Sequence, residues 1–156
     1  MCLKTRQAFP EFAEEDIVCY KVIYKEINDE GIKWVSPYRD YIWFRGEICD
    51  KSLKYVHTAE YAWYHRTTDN KLDFNGNREI NAGFFHTFEN LDDAFKMENN
   101  ISGVFKGNFP KVFKCIIPKG TKYYKGYFNM INPDSDHEIL CTNFASEKLK
   151  LVKICA

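Results

Sequence analysis

The chain has 156 residues, enough for one domain with a sizeable core, and its 45% hydrophobic and 28% charged residues fit an ordinary soluble globular protein. Lys plus Arg and Asp plus Glu number 22 each, so the formal charge is zero. A binder of duplex nucleic acid must neutralise phosphates and usually carries a basic excess, so duplex nucleic acid is set aside as a partner.

No stretch reaches the roughly 18 apolar residues of a membrane span, so no membrane partner is expected. The six cysteines (Cys2, Cys19, Cys49, Cys115, Cys141, Cys155) form no CxxC pair, and none stands near a histidine at metal-ligand spacing. No metal is expected. The first residues, Met-Cys-Leu-Lys-Thr-Arg-Gln, have no long apolar run like that of a secretory leader. A cytoplasmic protein with reduced, mostly buried thiols is the expectation. With 13 Phe, 10 Tyr and 3 Trp the chain is rich in rings, which favour strands and also offer stacking faces for bases.

Residues 1–16 read as a lead-in, with a turn-like Phe9-Pro10-Glu11-Phe12 and a solvated Glu14-Glu15-Asp16. Residues 17–24 form the first strand. Its nearly continuous β-branched and aromatic run suggests burial on both faces, and Lys21 is the polar exception, placed at a face edge or in a site. Residues 28–31 make a turn. Tyr41 to Ile48 is the next strand candidate, with Gly46 marking a bulge or a close approach of backbone. Tyr55 to Tyr64 reads equally as strand or short helix, and residues 67–78 read as a polar, mobile loop.

Gly83-Phe84-Phe85-His86-Thr87-Phe88 organises the rest of the chain around it: a short aromatic strand that turns directly into a helix. Asn90 suits an N-cap, Asp92 and Asp93 complement the helix dipole, and Leu91, Ala94 and Phe95 share one face. The helix is expected near residues 90–97. Further strands are expected at 110–118, where Val112, Lys114 and Ile116 oppose Phe113, Cys115 and Ile117, then at 122–128, 138–142 and 149–154. The expected architecture is an α+β fold in a single domain spanning residues 1–156, with six to eight mostly antiparallel strands and one clear helix.

Several constellations bear on chemistry. His86 and Thr87 stand at the strand-to-helix corner, where a free helix N-terminus attracts anions; a histidine packed at the edge of an aromatic core explains the same residue. Lys119, Thr121 and Lys122 flank Gly120 in a turn whose amides could grip a phosphate, and a plain hairpin explains them too. Tyr38, Arg39, Trp43 and Arg45 join aromatic planes to guanidinium groups, a combination that suits a nucleotide and equally a protein interface centred on Trp34 to Trp63. No phosphate-binding glycine motif, HExxH or GxSxG is present.

The order of a strand bearing Lys21, the His86-Thr87-Phe88 strand before a helix, the strand from Val112, and Glu138-Ile139-Leu140 resembles a reduced ADP-ribosyltransferase fold. That resemblance implies NAD bound between two small sheets, with Glu138 holding a ribose hydroxyl and His86 and Lys21 in support. The chain departs from the family pattern at all three motifs: Lys21 stands for an Arg or His, His86-Thr87-Phe88 for Ser-Thr-Ser, and Asp136 lies two before Glu138. The chain also resembles small bacterial and phage domains of no assigned activity that carry a Ser-Pro-Tyr element and an Ile-Pro-Lys-Gly-Thr-x-Tyr-Tyr turn. Together these features lead to a domain that binds a nucleotide-like small molecule in an aromatic cleft, as in sequestration of a signalling nucleotide by a phage or mobile element. The alternatives are an NAD-dependent transferase and a protein-interaction or inhibitor module.

Overall fold

The computed structural model describes residues 3–36, 41–49, 51, 53, 55–59, 76–80, 84–104, 109–131 and 137–155. Its centre is β3 (Ile17–Asn28), whose ring-bearing and β-branched residues run along the middle of one large sheet. β3 turns back into β4 (Gly31–Val35) through a tight hairpin. Gly31 adopts a φ of 111°, which side-chain-bearing residues rarely tolerate, and the Asn28 Oδ1 accepts from the Glu30 amide at 2.9 Å. β4 then pairs with β5 (Ile42–Arg45), and this double hairpin hangs from the sheet rather than extending its main path.

The other side of β3 pairs with β9 (Phe109–Ile117) over nine residues, from Ile17↔Ile117 to Lys25↔Phe109. β12 (Lys148–Ile154) lies beside β9, and β6 (Val56–Thr58) closes that end of the sheet. In the other direction β3 meets β8 (Phe85–Phe88), then β11 (Glu138–Ser146), β10 (Lys122–Ile131), β1 (Leu3–Thr5) and β7 (Arg78–Ile80). β2 (Glu11–Phe12) pairs with the opening of β10. The paired strands are all antiparallel, and the sheet curls into a half-barrel.

Alternation along β3 sends Cys19, Lys21 and Ile23 to one face and Val22 and Tyr24 to the other. The first face carries the larger core, which includes Leu3, Phe85, Phe113, Cys115, Phe144, Leu149 and Leu151 with Trp34 and Trp43 of the hairpin. The second face carries Phe88, Val112, Met130 and Cys141 under the helix α1 (Leu91–Val104), which contributes Ala94 and Met97.

Twelve strands and one helix among the described residues make this a mostly β architecture and correct the expected α+β fold of six to eight strands. The additional strands are short. β1, β2, β6 and β7 have two or three residues each, too few for a period to register, and are held by ladders to distant partners such as Lys4↔Tyr127 and Lys122↔Phe12. The lead-in therefore contains two strands. Of the loop read at 67–78, residues 67–75 lie outside the described residues, and Arg78 opens β7. The helix begins one residue after Asn90, as its cap and acidic first turn imply. It continues past 97 through Asn-rich sequence of poor helix propensity, because Met97 is buried and the Asn100 amide donates to the Ile131 carbonyl at 2.9 Å.

Candidate functional site

The one polar residue in the middle of β3 defines a site in the larger core. Lys21 is buried, and its Nζ donates to the His86 carbonyl oxygen at 2.8 Å. The same ammonium lies 5.9 Å from the centroid of the Trp43 ring, within reach of a weak cation–π attraction. β8 supplies the next side chains. Phe85 belongs to the larger core, and alternation points Thr87 to the same face and the His86 ring to the other. His86 thus meets Lys21 through its backbone, and Thr87 meets the Cys19 thiol.

Cys19 and Cys115 sit directly opposite each other on β3 and β9. Burial pushes the Cys19 thiol up to about 12, with the Thr87 hydrogen bond and the Lys21 charge pulling the other way. Burial raises Cys115 well above its ordinary value, and the neighbouring Cys19 adds to the rise. Both are protonated packing groups at neutral pH rather than nucleophiles.

The β4–β5 hairpin roofs this face with rings. Trp43 is buried and donates from Nε1 to the Ser36 hydroxyl at 2.9 Å. Its ring centroid lies 4.9 Å from Tyr41 and 4.8 Å from Phe85. His57, in the edge strand β6, packs against Trp43 at 4.7 Å and against the exposed Tyr55 at 4.9 Å. The Tyr41 hydroxyl is 3.0 Å from His57 Nδ1. Burial lowers the His57 pKa to about 4, so the ring is neutral at physiological pH. Its second nitrogen, Nε2, is buried and has no hydrogen-bond partner among the described residues. An unsatisfied buried polar atom costs about 1–3 kcal/mol, and most such atoms in folded proteins are paired.

The structure therefore brings Lys21, Thr87, Trp43 and the backbone of His86 into one cluster and adds Tyr41, Phe85 and His57. His57 was invisible in the sequence: its three-residue strand lies in a stretch that reads equally as strand or helix, and no spacing ties it to Tyr41. Trp34 and Trp43 are core residues, so they do not form the exposed interface expected from Trp34 to Trp63. Trp63, Tyr38 and Arg39 lie outside the described residues, and Arg45 is exposed near the end of β5.

Glu138 stands apart from the cluster. It occupies the exposed start of β11, while His86 pairs with Ala145, seven positions along the same strand, about 23 Å away at the rise of an extended chain. The trio implied by the transferase resemblance is not assembled by this geometry.

The Pro118–Lys122 turn lies elsewhere, against residues 13–16. Its amides are already committed: Lys119 donates to Asp16 Oδ1 at 2.8 Å, Gly120 to the Ala13 carbonyl at 2.7 Å, and Thr121 to the Pro118 carbonyl at 3.1 Å. The anchoring group is an internal carboxylate, placed where a phosphate was expected. Thr121 is buried, and the Lys122 ammonium lies 5.6 Å from the Phe12 ring centroid. Beside this turn runs an open groove of about 830 Å3, lined by Glu11, Glu14, Glu15 and Asp16 with Phe12, Ile17, Val18 and Tyr123. Burial and the Glu11 carboxylate raise the Tyr123 pKa, which reports the negative field there.

Among the described residues no group of three His, Cys, Asp or Glu side chains could hold a metal ion, and no helix is long and apolar enough to cross a membrane. No family model, curated protein or solved structure matches this chain.

Proposed function

We propose that this chain is a binding protein for a small planar, nucleotide-like ligand, which lies against the half-buried Tyr41 at the rim of the buried Trp43–Phe85 cluster, on the face that holds Lys21. The carrying observation is the Lys21 ammonium, buried within a face of aromatic rings. A low-dielectric surround strengthens its pull on a phosphate or carbonyl oxygen. Aromatic planes hold a base with about 1–3 kcal/mol each. Binding without turnover is the reading that fits protonated thiols and a distant Glu138. Sequestration of such a nucleotide is the role that the resemblance to phage domains suggests.

The test is mass spectrometry of a mixture of NAD, mononucleotides and cyclic oligonucleotides incubated with the purified protein. One species should leave the filtrate and return intact when the protein is denatured. Lys21→Met should reduce its retention about ten-fold or more, the loss of one charge-assisted contact. Retention of nothing at millimolar concentration would sink the proposal. Release of nicotinamide from NAD would instead establish turnover and bring Glu138 forward.

A second reading, a protein-interaction module, is favoured by the acidic groove. Phe12 and Val18 are 61% and 45% exposed there beside four carboxylates, a surface suited to a basic peptide with an apolar side chain.

A further inference from the structure

Charge on this protein is sorted by position. On the face of the sheet that carries α1, Val22 and Val112 are buried with the helix residues Ala94 and Met97, but the same face continues past them along β3 and β9. Register sets Val18 opposite Ile116, Ile116 opposite Lys150, and Lys150 opposite Val56, and directly opposed residues point to one side. Lys148 joins Lys150 two positions along β12, and Lys114 stands directly opposite Lys153. Like charges so placed repel each other. None of these four lysines has a carboxylate partner among the described residues. Val18 and Val56, 45% and 40% exposed, keep the face partly apolar. A facing lysine pair beside exposed valines is relieved by an acidic partner that also offers apolar side chains.

The chain carries such a surface itself. Val18 also lines the acidic groove, where Glu14 and Glu15 are exposed and have no cationic partner among the described residues. Lys150 is two strands from Val18, about 10 Å at the usual strand spacing, so groove and lysine face adjoin. Patches of opposite charge side by side are self-complementary: a two-fold axis between them sets each groove on the lysines of the other copy. With a formal charge of zero, two copies approach without net repulsion. We infer that the occupant of both surfaces is a second copy of this chain, in an isologous dimer that lays the acidic groove of each copy on Lys114, Lys148, Lys150 and Lys153 of the other. The inference rests on the protein-interaction reading of the groove and names its partner. Lys21 points to the opposite face of the sheet and takes no part.

The test is sedimentation of the full chain. From about 1 μM to about 1 mM, the range of weak interfaces, a monomer should give way to a dimer and to nothing larger. Added salt should move that transition to higher concentration. Glu14→Lys/Glu15→Lys and Lys148→Glu/Lys153→Glu alter exposed side chains, so each should keep its thermal midpoint and raise the dissociation constant about ten-fold or more. An equimolar mixture of the two variants should dimerise again, because every reversed groove then meets a reversed face. Damage to the fold cannot produce that rescue. Should either pair unfold the chain, the single reversals Glu15→Lys and Lys153→Glu replace them in the same mixture. A chain that stays monomeric throughout, a mixture that does not recover, or particles that grow beyond two copies would overturn the dimer. If a monomeric chain still binds a labelled peptide of alternating Lys and Leu in its groove, the interaction reading survives with a different partner; if it binds no such peptide, that reading falls as well. A monomer that retains single-stranded oligo-dT through Lys148 and Lys153 would give the lysine face to nucleic acid and equally overturn the dimer.

Discussion

Single residues in this protein show how burial sets chemistry. His57 titrates near 4 in the folded chain because a charged imidazole cannot be solvated where it sits, and near 6.5 when unfolded. Between those values the unfolded chain binds the extra proton, so acid favours unfolding. The stability due to a neutral His57 is fully present above about pH 6.5 and declines as pH falls toward 4, by about 3 kcal/mol at most. Denaturation midpoints measured between pH 7 and about 5, where carboxylates contribute little, should fall in the unaltered protein. The slope should flatten in Tyr41→Phe/His57→Phe. An equal slope in both would mean that His57 is solvated. Lys21 presents the opposite case: a charge kept inside, anchored by the His86 carbonyl and spread over the Trp43 face. Its position was legible in the sequence, because one lysine interrupts an otherwise apolar run. Which partners it would meet was not, because they come from β5 and β8.

At the scale of elements, the attachment of β1 is the most exacting contact. Gly126 lies within β10, and a Cβ there would run into the Lys4 carbonyl and come within 2.8 Å of Leu3 Cδ2. β1 crosses β10 so closely that only glycine fits. Thr5 and Gln7 pin the crossing, Thr5 Oγ1 donating to the Lys125 carbonyl at 2.7 Å and Gln7 Oε1 accepting from the Lys125 amide at 2.6 Å. Gly126→Ala should cost about 1–3 kcal/mol, as overpacking does, and should speed amide exchange at Leu3 and Thr5 before the rest of the sheet. Unchanged urea midpoints and exchange rates would show that β1 moves aside freely. Gly126 read in the sequence only as one residue of an ordinary strand, since the clash comes from a segment more than a hundred positions away. The helix is the converse case: Asn90, Asp92 and Asp93 marked its start locally, while its length depended on what covers Met97.

Across the whole molecule, a formal charge of zero conceals separation. Lys21 sits inside, while Glu11, Glu14, Glu15 and Asp16 gather along one groove beside exposed Phe12. If that groove takes a basic partner, a labelled peptide of alternating Lys and Leu should bind it. Glu14→Lys/Glu15→Lys should weaken that binding about ten-fold or more without lowering thermal stability, because both side chains are exposed. Added salt should weaken it as well. Binding that ignores both the reversal and the salt would locate the peptide elsewhere.

By itself the sequence determined the long strands β3, β9, β10, β11 and β12, the start of the helix and the polar exception Lys21. Local periodicity, capping and ring content carry that information within a few residues. Tertiary structure alone decided that the fold is mostly β, because two- and three-residue strands exist only through their partners. It also decided that Asp16 occupies the turn expected to hold a phosphate, that Glu138 stands far from His86, and that Tyr41 meets His57. Each of those outcomes depends on which distant strands pair and in what register, and antiparallel pairing between remote segments leaves no mark in the composition of either.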